Sequence, residues 1–239
     1  MSDLLELVIE AHGGMSRWKR VRSISATVSI SGALMTLKGF PEVLKDVTVS
    51  IDTGTPRTVV QPYGGIGRRG IFVPDRVWIE DAVVVEDRAA PRSSFAGHVR
   101  DTPWDDLHRL YFLGYALWNY LTTPFLFARP GFVVEEGPEH EQDGGVWRVL
   151  KVTYPADIPA HCAQQLLYFD SAGMLKRLDY VTDIAGGVAS HYCYDPKTFD
   201  GLVFPTLRRV VRRTESGPHI SSGTAVLLNC TSIRVGDHG

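Results

Sequence analysis

Apolar residues recur along this chain with two different periods. Near the start, Leu4, Leu5, Val8 and Ile9 follow the three-and-four spacing of one helix face, and Ser2 is placed to cap it. Gly13-Gly14 ends that run, because glycine takes the left-handed position after a helix. Ser16 to Val21 adds one further turn, anchored by Trp18. From Ile24 the period becomes two. Ile24, Ala26, Val28 and Ile30 alternate with Ser25, Thr27, Ser29 and Ser31, a strand with one dry face. Further strand segments at 33–40, 43–52, 57–62, 68–73 and 76–87 predict an antiparallel meander.

Ala, Pro, Ser and Gly interrupt the pattern over 89–102, and the strongest helix signal follows. Thr102 suits the N-cap, Pro103 the first helical position, and Asp105 and Asp106 the positive first turn. Residues 110–121 are apolar or aromatic on nearly every side, so this helix is expected to be buried all round, inside a curved sheet, with Pro124 ending it. Strand patterns return at about 131–136, 146–154, 162–169, 174–183, 187–195, 202–215 and 219–235. Glu135 to Gly145 reads as a polar hairpin loop, with turns at 170–173 and 183–187. No linker divides the chain, which predicts one domain over residues 1–239. The expected fold class is mainly β (α+β): an antiparallel open or half-closed barrel wrapped around a buried helix, with an N-terminal helix.

Composition narrows the functions. Hydrophobic residues make up 44% and charged residues 22%, ordinary globular usage. The 25 Lys plus Arg against 27 Asp plus Glu give a net charge of −2, so no nucleic acid partner is expected. No apolar run reaches the roughly 20 residues of a membrane span. The N-terminus lacks the basic start and apolar run of a secretory signal, and Cys162, Cys193 and Cys230 are an odd, scattered set. A cytoplasmic location is expected. His191-Tyr192-Cys193 offers two ligand types on one strand face, but the paired spacing of a zinc site is missing, so no metal and no cofactor are expected. Gly65-Ile66-Gly67-Arg68-Arg69-Gly70 spells the dinucleotide fingerprint. A strand rather than a helix follows it, which makes it a glycine-rich hairpin.

Two constellations carry possible chemistry. On the buried helix, Asp105 and His108 are three apart and share a face, an arrangement in which a carboxylate orients an imidazole base. Trp104, Tyr111, Tyr115 and Trp118 fall on the same side, and His98 lies just upstream, so together these residues outline an aromatic ligand pocket. The same residues also read as a helix cap with a core histidine. The second constellation lies on the C-terminal hairpin. Pairing 183 with 187 sets Asp179 opposite His191 and Arg177 opposite Cys193. Gln164 would join that track, while Leu167, Phe169, Leu178, Tyr180 and Tyr192 fill the other face. The alternatives are a polar track that faces water, and a one-residue slip that exchanges the faces. Arg208, Arg209, Arg212 and Arg213 divide between both faces of one strand. They form either a solvated edge or, on one face, an anion site.

The opening His12-Gly13-Gly14, Trp18, and the strand leading to Leu37-Lys38-Gly39 resemble the bacterial outer-membrane lipoprotein-sorting (LolA-like) proteins. So does the closing pattern Tyr168-Phe169-Asp170, Gly173, Leu175, Arg177, then Asp200-Gly201-Leu202 and Pro205-Thr206. The resemblance implies a half-open antiparallel barrel whose helices cover an apolar cavity for acyl chains, and it implies no catalytic residues. The function expected is binding of a hydrophobic or aromatic small molecule in the cavity of the half-barrel. The alternative is a cofactor-independent enzyme in the same cavity, with His and Asp as acid and base.

Overall fold

The computed structural model describes residues 2–142, 144–214, 217–218 and 223–238, with 217–218 defined by backbone pairing alone. The helices are α1 (Asp3–Ala11), α2 (Met15–Trp18), α3 (Ala33–Leu37) and α4 (Asp106–Thr122), with 3-10 turns at Pro91–Phe95 and Phe125–Ala128. The strands of the first half are β1 (Val21–Ser31), β2 (Leu44–Asp52), β3 (Arg57–Gln61), β4 (Arg69–Val73), β5 (Arg76–Asp81) and β6 (Val83–Ala89). Those of the second are β7 (Val133–Gln142), β8 (Gly145–Thr153), β9 (Gln164–Phe169), β10 (Leu175–Val181), β11 (Val188–Phe199), β12 (Leu202–Thr214), the two-residue β13 (Gly217–Pro218) and β14 (Val226–Asp237).

The two halves form one antiparallel sheet, in the order β6-β5-β4-β3-β2-β1-β14-β12-β11-β10-β9-β8-β7, with β13 beside β12. Strand β14 makes the join, pairing with β1 on one side and β12 on the other. The outer strands β6 and β7 do not pair with each other, so the barrel stays half open. The concave face holds α4 and a core drawn from every part of the chain.

α4 is seated by small residues. The helix packs most closely on β3 and β4. There a Cβ on Gly114 would overlap the Phe72 ring, and a Cβ on Gly70 would meet Leu110 and Tyr63. Thr58 Oγ1 donates to the Gly114 carbonyl at 2.8 Å and Trp118 Nε1 to the Asp52 carbonyl at 2.7 Å. Gly70 is thus the last glycine of the apparent dinucleotide motif, placed on a strand where the helix must come close. At the opposite end of the sheet, Ser2 caps α1 by accepting from Leu5 N–H. Trp18 stacks on Phe125 with ring centroids 4.5 Å apart. Gly13 lies so near Gly201 that a Cβ would strike its carbonyl, and the Val203 N–H donates to the His12 carbonyl. The two glycine motifs of the family resemblance therefore meet in space and close the floor of the barrel.

Six expectations are corrected. Residues 33–40 contain helix α3, not a strand. Gly32 turns the chain at a φ of 129°, the Ala33 and Leu34 N–H groups donate to Thr224 and Ala225 carbonyls, and Ala, Leu and Met favour a helix. Residues 76–87 are two strands, because Ala82 at a φ of 59° reverses the chain. α4 starts at Asp106 rather than Pro103. Trp104 N–H already donates to the Lys38 carbonyl and Val99 N–H to the Thr102 hydroxyl oxygen, which holds 102–104 extended. Most of Glu135 to Gly145 is strand, since β7 is an edge that is wet on both faces and charged residues protect it. The segment expected at 219–235 begins as β14 at Val226, and residues 219–222 lie outside the described residues.

The sixth correction is the register of the β10–β11 hairpin. Thr182 Oγ1 donates to the carbonyls of Gly186 and Gly187, so the closing pair is Val181 with Val188. Asp179 faces Ser190, and His191 faces Leu178. A bulge in β10 also sets Asp179 opposite Leu166 rather than Gln164.

Gly114→Leu is expected to destabilise strongly, and even Gly114→Ala by about 1–3 kcal/mol, the usual cost of overpacking. Denaturant midpoints check this, and an unchanged midpoint for either variant would show that α4 is not seated on Phe72.

Candidate functional site

The slipped register divides the expected polar track between the two faces of the sheet. Arg177 and Asp179 point outward, with Arg177 Nε 3.1 Å from Asp179 Oδ1 and Ser190 Oγ donating to the same oxygen at 2.6 Å. Trp147, Tyr168, Tyr192 and Val211 form a small second core around them, with the Arg177 guanidinium 3.9 Å from the Tyr168 ring centre. Gln142, from the end of β7, accepts from Arg177 over this cluster. His191, Cys193, Leu178 and Tyr180 point inward instead. Asp179 and His191 are therefore not an acid–base pair, and Tyr192 belongs to the outer face.

Asp105 and His108 do meet, in a capping box that also brings His108 Nδ1 within 2.8 Å of Asp105 Oδ1. Asp105 Oδ1 accepts from His108 N–H at 2.8 Å, and His108 Nδ1 accepts from Asp105 N–H at 3.3 Å. Arg88 holds the carboxylate at 2.6 Å. The His108 ring packs edge-on against Phe95 and beside His98, and Phe95 in turn touches Trp104. Burial lowers the pKa of His108, against the opposing pull of Asp105. His98, Trp104 and His108 thus form an aromatic plug around the start of α4 and line none of the cavities described here.

Inside the barrel lies a ring network that sequence reasoning caught only in part. His161 accepts or donates at both ring nitrogens, with Tyr115 Oη at 3.0 Å and Tyr120 Oη at 2.8 Å. Tyr180 stacks on His161 at 4.3 Å and places its hydroxyl 3.3 Å from His191 Nδ1. Burial, with Arg92 adding to it, pushes His161 down to about 3. Burial likewise drives His191 well below its ordinary value, and it raises Tyr120 to about 12. Every member is neutral near pH 7. The network is a stiff, uncharged wall rather than a poised acid and base.

The open space lies on the other side of α4. A surface groove of about 330 Å³ is framed by α3, the turn 182–187 and the upper ends of β11 and β12, with Arg100 and Arg212 on its rim. Below it, a cavity of about 40 Å³ lies between Phe112, Leu113, Ala116 and Leu117 of α4 and the inner faces of β1, β10, β12 and β14. Leu34, Thr182 and Val210 line both spaces. A third space of about 20 Å³ lies deeper, and Leu117, Tyr120 and Leu228 line both it and the cavity above. The three spaces are separate but adjacent, each sharing wall residues with the next, and together they mark out a tract from the surface to the floor. Of the residues expected to line a pocket, Tyr180 reaches this tract. Tyr111 instead borders a separate groove of about 340 Å³ with Arg92, Tyr154 and Asp183. Tyr115 serves the ring network, and Trp118 is buried against Asp52. Sequence reasoning missed Leu34, Leu117, Tyr120, Val210 and Leu228. A helical projection of α4 would have put Leu113, Leu117 and Tyr120 on one face.

Among the described residues, no cluster of three or more His, Cys, Asp or Glu side chains is arranged to hold a metal ion. No described helix is long and apolar enough to cross a membrane.

The network makes stability depend on pH. An unfolded histidine titrates near 6.5 and His161 near 3, so between those values the unfolded state binds more protons. The stabilisation is complete above pH 6.5 and is lost as the pH falls towards 3. For His161 alone the loss between pH 6.5 and 5 is about 2 kcal/mol. Chemical denaturation at the two pH values checks this, and His161→Phe should flatten the slope.

No profile of a known protein family matches this chain, and no curated protein is detectably similar to it in sequence. Solved structures are similar. One is a domain from Vibrio parahaemolyticus assigned to outer membrane lipoprotein sorting, 12% identical with a TM-score of 0.57, the match covering 97% of this chain and 91% of that one. Another is a LolA superfamily protein from Nitrosomonas europaea, 12% identical with a TM-score of 0.54, covering 99% and 93%. A third is a DUF1329 family protein from Desulfovibrio piger, 14% identical with a TM-score of 0.52, covering 97% and 91%. At such identities the likeness is one of fold: this chain has the half-open antiparallel barrel seen in LolA-like, outer-membrane lipoprotein-sorting proteins.

Proposed function

We propose that this protein binds an apolar small molecule in the tract between α4 and the inner faces of β1, β12 and β14, admitted at the groove beside α3. One observation carries the reading: the groove, the inner cavity and the deep space share lining residues one after the next, so they mark a single path along which an elongated guest would lie. The walls are nearly all aliphatic or aromatic, the lining expected of a site that selects by shape and apolar contact. The likeness in fold to proteins described as sorting lipoproteins supports the same class of guest. The two inner spaces are smaller than any such guest. Binding therefore requires Leu34 and Leu117, apolar side chains held by packing alone, to move aside, while Tyr120 stays tied to His161.

The neutral fluorophore N-phenyl-1-naphthylamine tests this. It should bind the folded protein with a rise in fluorescence and be displaced by dodecanol. Leu117→Trp fills the inner cavity and should abolish binding, whereas Leu117→Ala enlarges the cavity and should strengthen it. An intact protein that leaves the dye unbound, or equal binding by both variants, would overturn the proposal.

A further inference from the structure

Arg208 stands out among the interior side chains. It lies on β12 with only 4% of its surface exposed and lines the deepest space of the tract. Alternation along β12 puts Arg208, Val210 and Arg212 on the same inner face. The tract follows that order, with Arg208 at its floor, Val210 at the constriction and Arg212 at the rim. Its guanidinium donates from one terminal nitrogen to Cys193 Sγ at 3.2 Å and from the other to the Tyr120 carbonyl at 3.1 Å. It also sits over the Tyr120 ring at 4.8 Å. Among the described residues no carboxylate approaches it within ion-pair distance.

That environment is incomplete. A guanidinium has five N–H donors, and two of them are used here, which leaves three. The Tyr120 carbonyl belongs to the last turn of α4 and offers only the partial charge of a helix end. Buried cations are ordinarily paired, because leaving water costs several kcal/mol. Elsewhere in this chain the rule is kept. Arg177, equally buried on the outer face, has Asp179, and the Lys38 ammonium is wrapped by the carbonyls of Val99, Arg100 and Thr102.

We propose that Arg208 is the recognition group for the acid head of a single-tailed, medium-chain carboxylate, which binds head-inward with its tail running up the tract to the groove. The proposal rests on the reading of the tract as a binding site and names the guest. Arg208 lies four residues from the rim residue Arg212, about 13 Å along a strand, which matches a medium-length acyl tail. The planar fork of arginine donates to both oxygens of a carboxylate at once, and a space of about 20 Å³ has room for so small a head. The rim arginines Arg100 and Arg212 are exposed, already solvated, and have less to gain from an anion.

Competition with N-phenyl-1-naphthylamine at a pH where fatty acids are ionised supplies the test, with dodecanoate, methyl dodecanoate and dodecanol as competitors. The wild-type protein should prefer dodecanoate over both neutral analogues by at least about tenfold. Arg208→Met should remove the preference, dodecanoate falling to the affinity of its neutral analogues, and the double variant Arg100→Gln/Arg212→Gln should keep it. If Arg208→Met does not fold, the wild-type preference retained in the double variant supports the proposal without it. Equal binding of dodecanoate and dodecanol by the wild type overturns the head-inward carboxylate and leaves the apolar site standing. A preference lost in the rim variant but kept in Arg208→Met also overturns it, by placing the head at the surface. Failure of all three competitors, together with the dye, overturns the binding site itself.

Discussion

The contact between Gly114 and Phe72 sets the position of everything inside this barrel. A helix with a side chain at that position would have to stand off the sheet. Glycine lets the backbone of α4 rest on the Phe72 ring, and Gly70 allows a second close approach where Leu110 meets β4. The helix is thereby drawn towards the N-terminal half of the sheet. The sheet curves round it on both sides, so closeness to β3 and β4 leaves distance to β12 and β14. The tract occupies that distance. Packing on one face of α4 and space on the other are a single geometric fact.

The interior is also electrically quiet, with one exception. His161, His191, Tyr115, Tyr120 and Tyr180 hydrogen-bond to one another as neutral groups, with His191 Nε2 left over, and burial keeps them neutral across the ordinary pH range. They stiffen the wall behind the cavities. Arg208 is the exception, since its charge cannot be removed by a pKa shift within any accessible pH. A fold that pairs or wraps its other buried charges and leaves one cation without a carboxylate at the end of a cavity has built a strong electrostatic feature there.

Much of the architecture could be read from local pattern. Alternation in β1, the all-round apolar run of α4 and the Ser2 cap each depend on residues close in sequence, and each appeared where expected. The misreadings share a different cause. The faces of β10 and β11 depend on which pair closes the 182–187 turn. Two hydroxyl bonds from Thr182 decide that, and one residue of slip moves His191 from beside Asp179 to the opposite side of the sheet. α3 depends on carbonyls of Thr224 and Ala225, almost two hundred residues away. The tract was the least legible part. Leu34, Leu117, Val210 and Leu228 are ordinary core residues taken singly, and only the assembled sheet leaves a space between them. Arg208 was visible as one of four arginines on a strand, but which face it took depended on that same assembly.

The unpaired edges β6 and β7 bear on how such a space can change size. In a closed barrel, widening the interior stretches a ring of hydrogen-bonded strands, and beyond some point a ladder must break. Here the ring is already cut. The sheet can flatten by small changes of twist spread over many strand pairs while every backbone hydrogen bond is kept. Swelling of the tract is then an elastic deformation without a threshold, and guests of increasing bulk meet a gradually rising resistance instead of a fixed size limit.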